Sequence, residues 1–405
     1  MSTAHPLELT EETTKQLPPS RVRRALAKRL SDVICIPQSQ LPLQERHMAG
    51  DVLVELLRDA DLELRESVAK RFIMLNQAPR TILVMLANDD IEVAKHVLEN
   101  SKSFTDSDLI RIAQAVSMAH RKIIAQRRHI SDAVVDKLVE FLEEEVVEIL
   151  LKNKGANFSE TALQRILTVS RQHQPYVDLL IKRDELRPSH GLTMFWWANV
   201  KTRKIILKRF GVTRAVLQQS CADLYPQASA EGWNDAAVKK TLQFIERRQR
   251  NRAAIARSDF EGLEAAIETA EENGLTRHLA DEISYMSGIK PTTGAQILAD
   301  EGGEAIAILC KAAGLPSTFI RKFWRALKRP DILENGEPCP RLEAALAIYD
   351  VISTDSTQTV LRYWNWSLTS SLTLDVLACI KKGVIPKEEH GVAAITAALV
   401  FGRRT

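Results

Sequence analysis

Apolar residues recur every three to four positions along most of the chain, and this spacing predicts helices rather than strands. The first clear example follows the break at Pro18-Pro19. One helix face there carries Val22, Leu26, Leu30, Val33 and Ile34. Lysine and arginine residues cover the other face, and no segment after Gly191 alternates with the two-residue period of a strand. The pattern therefore predicts an all-α fold.

Two stretches of the chain, residues 97–112 and 150–166, match each other with one inserted residue. Each contains an apolar helix end, an Asn-centred turn, a cap at Thr105 or Ser159, and a new amphipathic helix. Helical hairpins that cannot bury an apolar face alone stack on one another, so the repeat predicts a HEAT-like α-solenoid. A non-repetitive helical bundle that reuses the same caps is the alternative.

The composition changes after residues 187–191, since all six tryptophans lie beyond this point. We expect a polar tail and basic amphipathic helix over residues 1–43, a HEAT-like helical repeat domain over 44–190, and a second helical domain over 191–405. In the last segment, the spacing of Ser258 and Glu261 predicts a capping box at the start of a helix that ends at Asn273-Gly274.

The overall composition excludes several classes of protein. With 26% charged and 45% hydrophobic residues among 405, the chain has the balance of a folded protein rather than a disordered one. It contains no apolar run near the roughly 20 residues that span a bilayer, and it begins without the pattern of a signal peptide, so we expect a cytoplasmic protein. Five widely spread cysteines predict reduced thiols rather than zinc sites or disulfides.

Residues 120–131 (HRKIIAQRRHIS), with Val134, Val135 and Leu138 after them, resemble the signature of domain of unknown function 2336, a bacterial family known mainly from alphaproteobacteria. The stretches DDIEVA at 89–94, VLENS at 97–101 and LLKN at 150–153 resemble its other recurrent motifs. The resemblance covers residues 45–190 and continues through GGEA at 302–305 to Gly314-Leu315. It implies a HEAT-like helical fold and a cytoplasmic bacterial protein, and it implies no activity. One departure is Glu143-Glu144-Glu145, where the family usually has a short Gly-Asp turn.

The first place to look for catalysis is the segment with His120, Arg127, Arg128 and His129. His120 shares a helix face with apolar residues, and no carboxylate is placed to orient it, so we expect a buried hydrogen-bonding residue with a structural role. Arg127 and Arg128 are candidates for binding a partner or a polyanion. Patterns of metal ligands, phosphate loops and nucleophile elbows are absent from the sequence, so we expect no metal, no cofactor and no enzymatic activity.

Basic runs at residues 21–29, 201–209 and 247–252 are the strongest signal for binding. In the second run, the cations that would neutralise phosphates are Lys201, Arg203, Lys204 and Lys208. The neighbouring aromatic residues Phe195, Trp196, Trp197 and Phe210 would stack bases. Solvated helix faces are the alternative, because acidic runs are equally strong and the net charge is only +3.

Trp364 and Trp366 cannot share a helix face, so we expect Trp364 inside and Trp366 partly exposed as an anchor for a partner. These features favour a non-enzymatic interaction scaffold or regulatory adaptor that presents a helical-repeat surface to a protein partner. A binding module for a polyanion, either nucleic acid or a nucleotide, is the alternative. A HEAT-like enzyme that processes DNA is the third hypothesis.

Overall fold

The computed structural model describes residues 19–36, 41–73, 75, 78–211, 220–232, 234–246, 250–370, 372–386 and 390–402. These residues form 25 α-helices and two isolated β-bridges, with no strand among them. The predicted all-α fold is confirmed. The polar tail predicted for residues 1–18 lies outside the described residues.

The chain divides into two compact units, Met1–Ile166 and Leu167–Thr405. The division lies within a helix that precedes the change of composition at residues 187–191. The two boundaries differ because the compact units reflect packing in space, whereas the predicted segments rest on composition along the chain. The three predicted segments therefore stay a prediction.

Unit 1 contains the first nine helices and most of the tenth. Their bounds are α1 Pro19–Ile34, α2 Leu43–Arg58, α3 Leu62–Phe72, α4 Arg80–Ala87, α5 Ile91–Asn100, α6 Asp106–Ala115, α7 Met118–Ala125, α8 Asp132–Glu140, α9 Glu144–Lys152 and α10 Glu160–Ser170. Helices α3, α5, α7 and α9 pack on one another in turn, and so do α2, α4, α6 and α8. Unit 1 is thus a stack of helical hairpins, and its assignment to the HEAT-like class stays a prediction.

One pattern of burial repeats from α4 to α9. Counted from the first residue of each helix, positions 3, 4, 7 and 8 are buried. This spacing places four side chains on one face of each helix, toward its neighbours in the stack. Val97-Leu98 in α5 and Leu150-Leu151 in α9 both occupy positions 7 and 8. The two matched stretches of sequence therefore have the same structural register.

Side chains from one hairpin close the helix ends of the hairpin before it. The guanidinium of Arg127 donates to the carbonyl oxygens of Leu98 and Ser101, and the amide of Asn153 donates to those of Ala125 and Arg127. The last carbonyl groups of a helix have no partner within it, so these bonds satisfy the ends of α5 and α7. They join residues 26 to 29 positions apart.

The turn between α8 and α9 leads into Glu143-Glu144-Glu145, where the sequence departs from the family pattern. Leu142 has a φ of +50°, the left-handed conformation that glycine adopts most easily. Glu143 then forms the N-cap of α9 and an ion pair with Arg121, whose guanidinium lies 4.2 Å from the centre of the Phe141 ring. The chain therefore keeps a tight turn here without glycine.

Unit 2 contains the remaining helices. Their bounds are α11 Gln174–Leu180, α12 Pro188–Met194, α13 Val200–Phe210, α14 Leu224–Ala230, α15 Ala236–Glu246, α16 Arg252–Ile255, α17 Leu263–Asn273, α18 Arg277–Met286, α19 Pro291–Ala299, α20 Glu304–Ala313, α21 Thr318–Ala326, α22 Pro340–Val351, α23 Thr354–Thr369, α24 Leu374–Lys382 and α25 Gly391–Phe401. Helix α20 contacts α19, α21, α22 and α23, and nine of its ten residues are buried. It is the central helix of unit 2.

Glycines fix two helix boundaries in unit 2. Gly303, directly before α20, has a φ of +83°, and a Cβ atom there would lie 2.6 Å from the Trp324 ring. Helix α17 ends at Gly274, also with a φ of +83°, as predicted. The capping box predicted at Ser258 and Glu261 is wrong, because α17 begins two residues after Glu261, behind Gly262.

An aromatic cluster lies in the core of unit 2. The ring of Trp364 is 4.8 Å from that of Phe195 and 4.7 Å from that of Trp196, measured between centroids. Both tryptophans, Phe195 and Phe210 are buried, while Trp197 is half-buried and donates to the Ser170 hydroxyl. The base-stacking role predicted for the buried rings is therefore wrong, because no base can reach them.

Candidate anion-binding pocket

The basic run of α13 separates into two kinds of cation. Lys201, Lys204 and Lys208 are exposed, and their spacing of three and four residues places them on one face of the helix. Among the described residues, no carboxylate lies within ion-pair distance of any of the three. Arg203 and Arg209 lie on other faces and bind groups of the protein itself. The lysines thus form a surface of uncompensated positive charge.

Arg203 is buried and forms the centre of an ion-pair network. Its guanidinium nitrogens lie 2.9 Å from both carboxylate oxygens of Asp300 and 2.6 Å from Glu304 Oε2. Burial disfavours its charged form, but the charges of Asp300 and Glu304 outweigh that effect and raise the pKa of Arg203. The guanidinium also lies 4.7 Å from the centre of the Phe195 ring. The predicted polyanion contact of Arg203 is corrected, since its charge is already neutralised inside unit 2.

Arg209 has a comparable internal role. It donates to the carbonyl oxygens of Ile181 at 2.6 Å and Arg183 at 2.8 Å, just after the end of α11. At the other end of α13, the side chain of Asn199 caps the helix by accepting from the Thr202 N–H at 2.9 Å. The planar guanidinium suits such fixed multiple bonds, whereas the flexible lysine stem suits a solvated charge.

Lys204 and Lys208 line a pocket of about 270 Å³. Leu207 and Gly211 complete this side of the pocket. The remaining lining residues come from the end of α22 and the start of α23: Ile348, Val351, Ile352, Ser353 and Ser356. We call this site the lysine pocket. It combines an apolar wall with two ammonium groups.

The start of α23 adds the positive end of a helix dipole to the pocket, and its first turn also carries the acidic residue Asp355. Ser353 is the N-cap residue, and its hydroxyl oxygen accepts from the Ser356 N–H at 3.2 Å. The Ser356 hydroxyl donates to the Gly211 carbonyl oxygen at 3.1 Å and so joins the two sides of the pocket. Gly211 permits this approach, because a Cβ atom there would lie 3.1 Å from Ser356 Cβ. The positive end of the α23 dipole and the two lysines favour an anionic group, such as a carboxylate or a phosphate.

Residues 93–362 match the family described as an uncharacterised protein conserved in bacteria, DUF2336. The chain belongs to this family. Comparison with curated proteins and with solved structures gives no match. Both sides of the lysine pocket lie within the part of the chain that matches DUF2336, whereas α1 to α4 precede it.

His120 lies in the part of the chain that first suggested DUF2336. It is buried at position 3 of α7, where α5, α8 and α9 have a valine. Its Nδ1 lies 2.9 Å from the Ser117 hydroxyl, and its Nε2 lies 2.9 Å from the Asp89 carbonyl oxygen. Both ring nitrogens are therefore engaged within unit 1, and we assign His120 a structural role.

The neighbouring candidates Arg127 and Arg128 differ in environment. Arg127 closes the end of α5, and burial lowers its pKa despite the nearby charge of Asp106. Its predicted binding role is corrected, because both terminal nitrogens of the guanidinium donate to carbonyl groups of the protein itself. Arg128 is exposed and keeps its place as a candidate.

Trp366 is 48% exposed and Trp364 is fully buried, so the expectation from helix geometry is confirmed. Trp366 does not line the lysine pocket, and neither does Lys201. Of the residues predicted to bind a ligand, the pocket thus brings together only Lys204 and Lys208. No pattern in the sequence singled out Ser353 or Ser356, and nothing in it placed α23 beside α13.

Among the described residues, no group of three His, Cys, Asp or Glu side chains is arranged to hold a metal ion. None of the described helices is long and apolar enough to cross a bilayer. All five cysteines are free, and burial raises the pKa of Cys310 far above its usual value. Of the third basic run, Arg247 and Arg248 lie outside the described residues, and Arg250 pairs with Glu264.

Proposed function

We propose that this protein is a non-enzymatic interaction protein that holds an anionic group of a protein partner in the lysine pocket. The observation that carries the proposal is the pair Lys204 and Lys208, which face the start of α23 without a carboxylate partner among the described residues. An anion bound there would gain two charge-assisted hydrogen bonds and the favourable end of a helix dipole.

The size of the pocket supports a side chain rather than a whole cofactor. Its volume of about 270 Å³ is below the roughly 300–1,000 Å³ of pockets that enclose drug-sized ligands. The apolar residues Leu207, Val351 and Ile352 line the same space. We therefore propose a partner segment with an acidic or phosphorylated residue beside an apolar one.

Nucleic acid is the weaker alternative. The three lysines of α13 support it, but the aromatic rings needed for base stacking are buried and Arg203 is already paired. A DNA-processing enzyme has no supporting arrangement among the described residues.

The test uses fluorescein-labelled peptides with a central phosphoserine, glutamate or serine between apolar residues, titrated with the full chain and followed by anisotropy. We expect the two anionic peptides to bind and the serine peptide not to bind. Lys204→Gln with Lys208→Gln should weaken binding by about tenfold or more, as the loss of charged hydrogen bonds does. Lys201→Gln is the matched control on the same helix face, and we expect a change below about twofold.

Equal losses in Lys201→Gln and the double variant would contradict the proposal, because a diffuse basic surface would then explain binding. Binding of the serine peptide with equal affinity would contradict it as well. Single-stranded DNA, double-stranded DNA and RNA are titrated at about 50 mM salt in the same assay, where phosphate contacts are favoured. Tight binding of these probes, lost in all lysine variants alike, would favour the nucleic-acid alternative.

A further inference from the structure

Helix α1 leaves much of its apolar face uncovered. The face predicted from the sequence contains Val22 and Leu26, which are 37% and 45% exposed. Among the residues of α1 whose burial is described, Ala27, Ser31 and Ile34 are buried, and only Ile34 belongs to the predicted face. The helix therefore packs on unit 1 through a face that is offset from the predicted one, and it keeps the apolar side chains of Val22 and Leu26 at the surface.

The uncovered residues form a continuous stripe. Val22, Leu26, Leu30 and Val33 are spaced by four, four and three residues, and Leu30 and Val33 are half-buried. Such spacing aligns side chains along one side of a helix. The 16 residues of α1 give the helix a length of about 24 Å. The stripe thus runs parallel to the helix axis at the surface of unit 1.

The cations of α1 divide into two groups. Arg23 pairs with Asp59 at 3.1 Å, and Arg24 pairs with Asp61 at 2.9 Å and with Glu63 at 2.8 Å. These pairs hold α1 against the following helices. The other group consists of Arg21, Lys28 and Arg29, which are exposed. No carboxylate among the described residues lies within ion-pair distance of these three.

Negative charge on α1 does not offset the second group. Asp32 is the one acidic residue of the helix, and it forms an ion pair with Arg71 of α3. The exposed surface of α1 therefore combines an apolar stripe with three uncompensated cations. A partner for this surface must accept apolar side chains and supply negative charge together.

We infer that α1 is a peripheral membrane-binding helix that lies on an anionic lipid surface. Its apolar stripe would enter the region below the headgroups, while Arg21, Lys28 and Arg29 contact lipid phosphates. A second copy of the chain fits this surface less well. Two α1 helices packed stripe to stripe would bring their cations together, and like charges across an interface oppose association. This site is separate from the lysine pocket and does not depend on its function.

The test is co-sedimentation of the full chain with large unilamellar vesicles, either phosphatidylcholine alone or phosphatidylcholine with about one third phosphatidylglycerol, a lipid fraction chosen to give the strong negative surface potential of anionic membranes. We expect binding to the anionic vesicles only, with weaker binding as salt rises. Arg21→Gln, Lys28→Gln and Arg29→Gln together should lower the partition coefficient on the order of 100-fold, at about fivefold for each cation. Val22→Asp with Leu26→Asp should abolish binding.

The matched control is Lys102→Gln, Lys154→Gln and Lys182→Gln, which removes the same charge from exposed lysines elsewhere. We expect it to bind anionic vesicles like the parent, and circular dichroism melts verify that all variants are folded. Equal loss in both triple variants would overturn the inference, since net charge alone would then drive binding. Absence of binding to anionic vesicles would also overturn it. A concentration-dependent dimer, measured by light scattering, is a third outcome that would overturn the inference. In that case Val22→Asp with Leu26→Asp would abolish the dimer but leave vesicle binding unchanged.

Discussion

Replacement of Arg203 by methionine should destabilise unit 2 by about 3–5 kcal/mol, the cost of removing one partner from a buried ion pair. Methionine keeps an unbranched side chain near Phe195 but leaves the carboxylates of Asp300 and Glu304 in the core without their cation. Both carboxylates are almost fully inaccessible, so water cannot replace the lost charge. The adjacent Lys204→Met is the control, and as an exposed change it should cost less than about 0.5 kcal/mol.

Urea unfolding followed by tryptophan fluorescence measures this effect in the relevant unit, because all six tryptophans lie beyond residue 190. The melting temperature of Arg203→Met should fall on the order of 10 °C. Adding Asp300→Asn and Glu304→Gln to Arg203→Met should restore part of the stability, since neutral amides need no counter-charge. If Arg203→Met were as stable as Lys204→Met, or if the neutral partners gave no recovery, the ion-pair explanation would be refuted.

Three further predictions concern unit 1, each followed by circular dichroism during urea unfolding. Leu142→Gly should stabilise the chain by about 0.5–1 kcal/mol, because it relieves a left-handed conformation at an exposed residue, and a loss of stability would contradict that assignment. Burial favours the neutral form of Asp108. Hydrogen bonds from Thr105 and from the guanidinium of Arg80 outweigh this effect and lower the pKa of Asp108. The charge of Asp108 therefore stabilises the fold at neutral pH and ceases to do so as pH falls through the lowered pKa. The loss of unfolding free energy caused by Asp108→Asn should accordingly shrink below about pH 4. A loss that stays constant with pH would argue against this role. Leu151→Ala should cost about 2–5 kcal/mol and Glu144→Ala almost nothing, and equal effects would show that the buried face of α9 is misassigned.

Local pattern was enough to predict the helices and their buried faces in the stacked part of unit 1. The matched stretches carry Leu98 and Leu151 in one register because helical periodicity is a local property of the sequence. Periodicity gave the wrong buried residues in the first half of α1. Val22 and Leu26 are apolar but stay at the surface, whereas the smaller Ala27 is buried. A sequence shows which face is apolar, but it does not show whether a partner covers that face.

The binding residues were harder to predict, for a reason visible in two neighbours. Arg203 and Lys204 belong to one basic run, yet Arg203 is buried and Lys204 is exposed. The acidic partner Asp300 lies 97 residues further along the chain, so no local pattern could indicate it. Arg127 raises a second difficulty, because its partners are backbone carbonyl groups, which every residue supplies and no residue type reveals.

The distances along the chain between bonded residues have a consequence for how the two units fold. In unit 1, the bonds that close helix ends connect residues at most 29 positions apart, so each one forms once a neighbouring hairpin is in place. In unit 2, the pair Arg203–Asp300 closes a loop of 97 residues, and the bond from Trp364 to Leu192 closes one of 172. Closing the 97-residue loop costs about 1 kcal/mol more entropy than closing one of 29. Helix formation in unit 1 can therefore spread outward from any hairpin, while unit 2 must first bring distant parts of its chain together. On refolding, the helical circular dichroism signal should rise before the tryptophans of unit 2 reach their native environment.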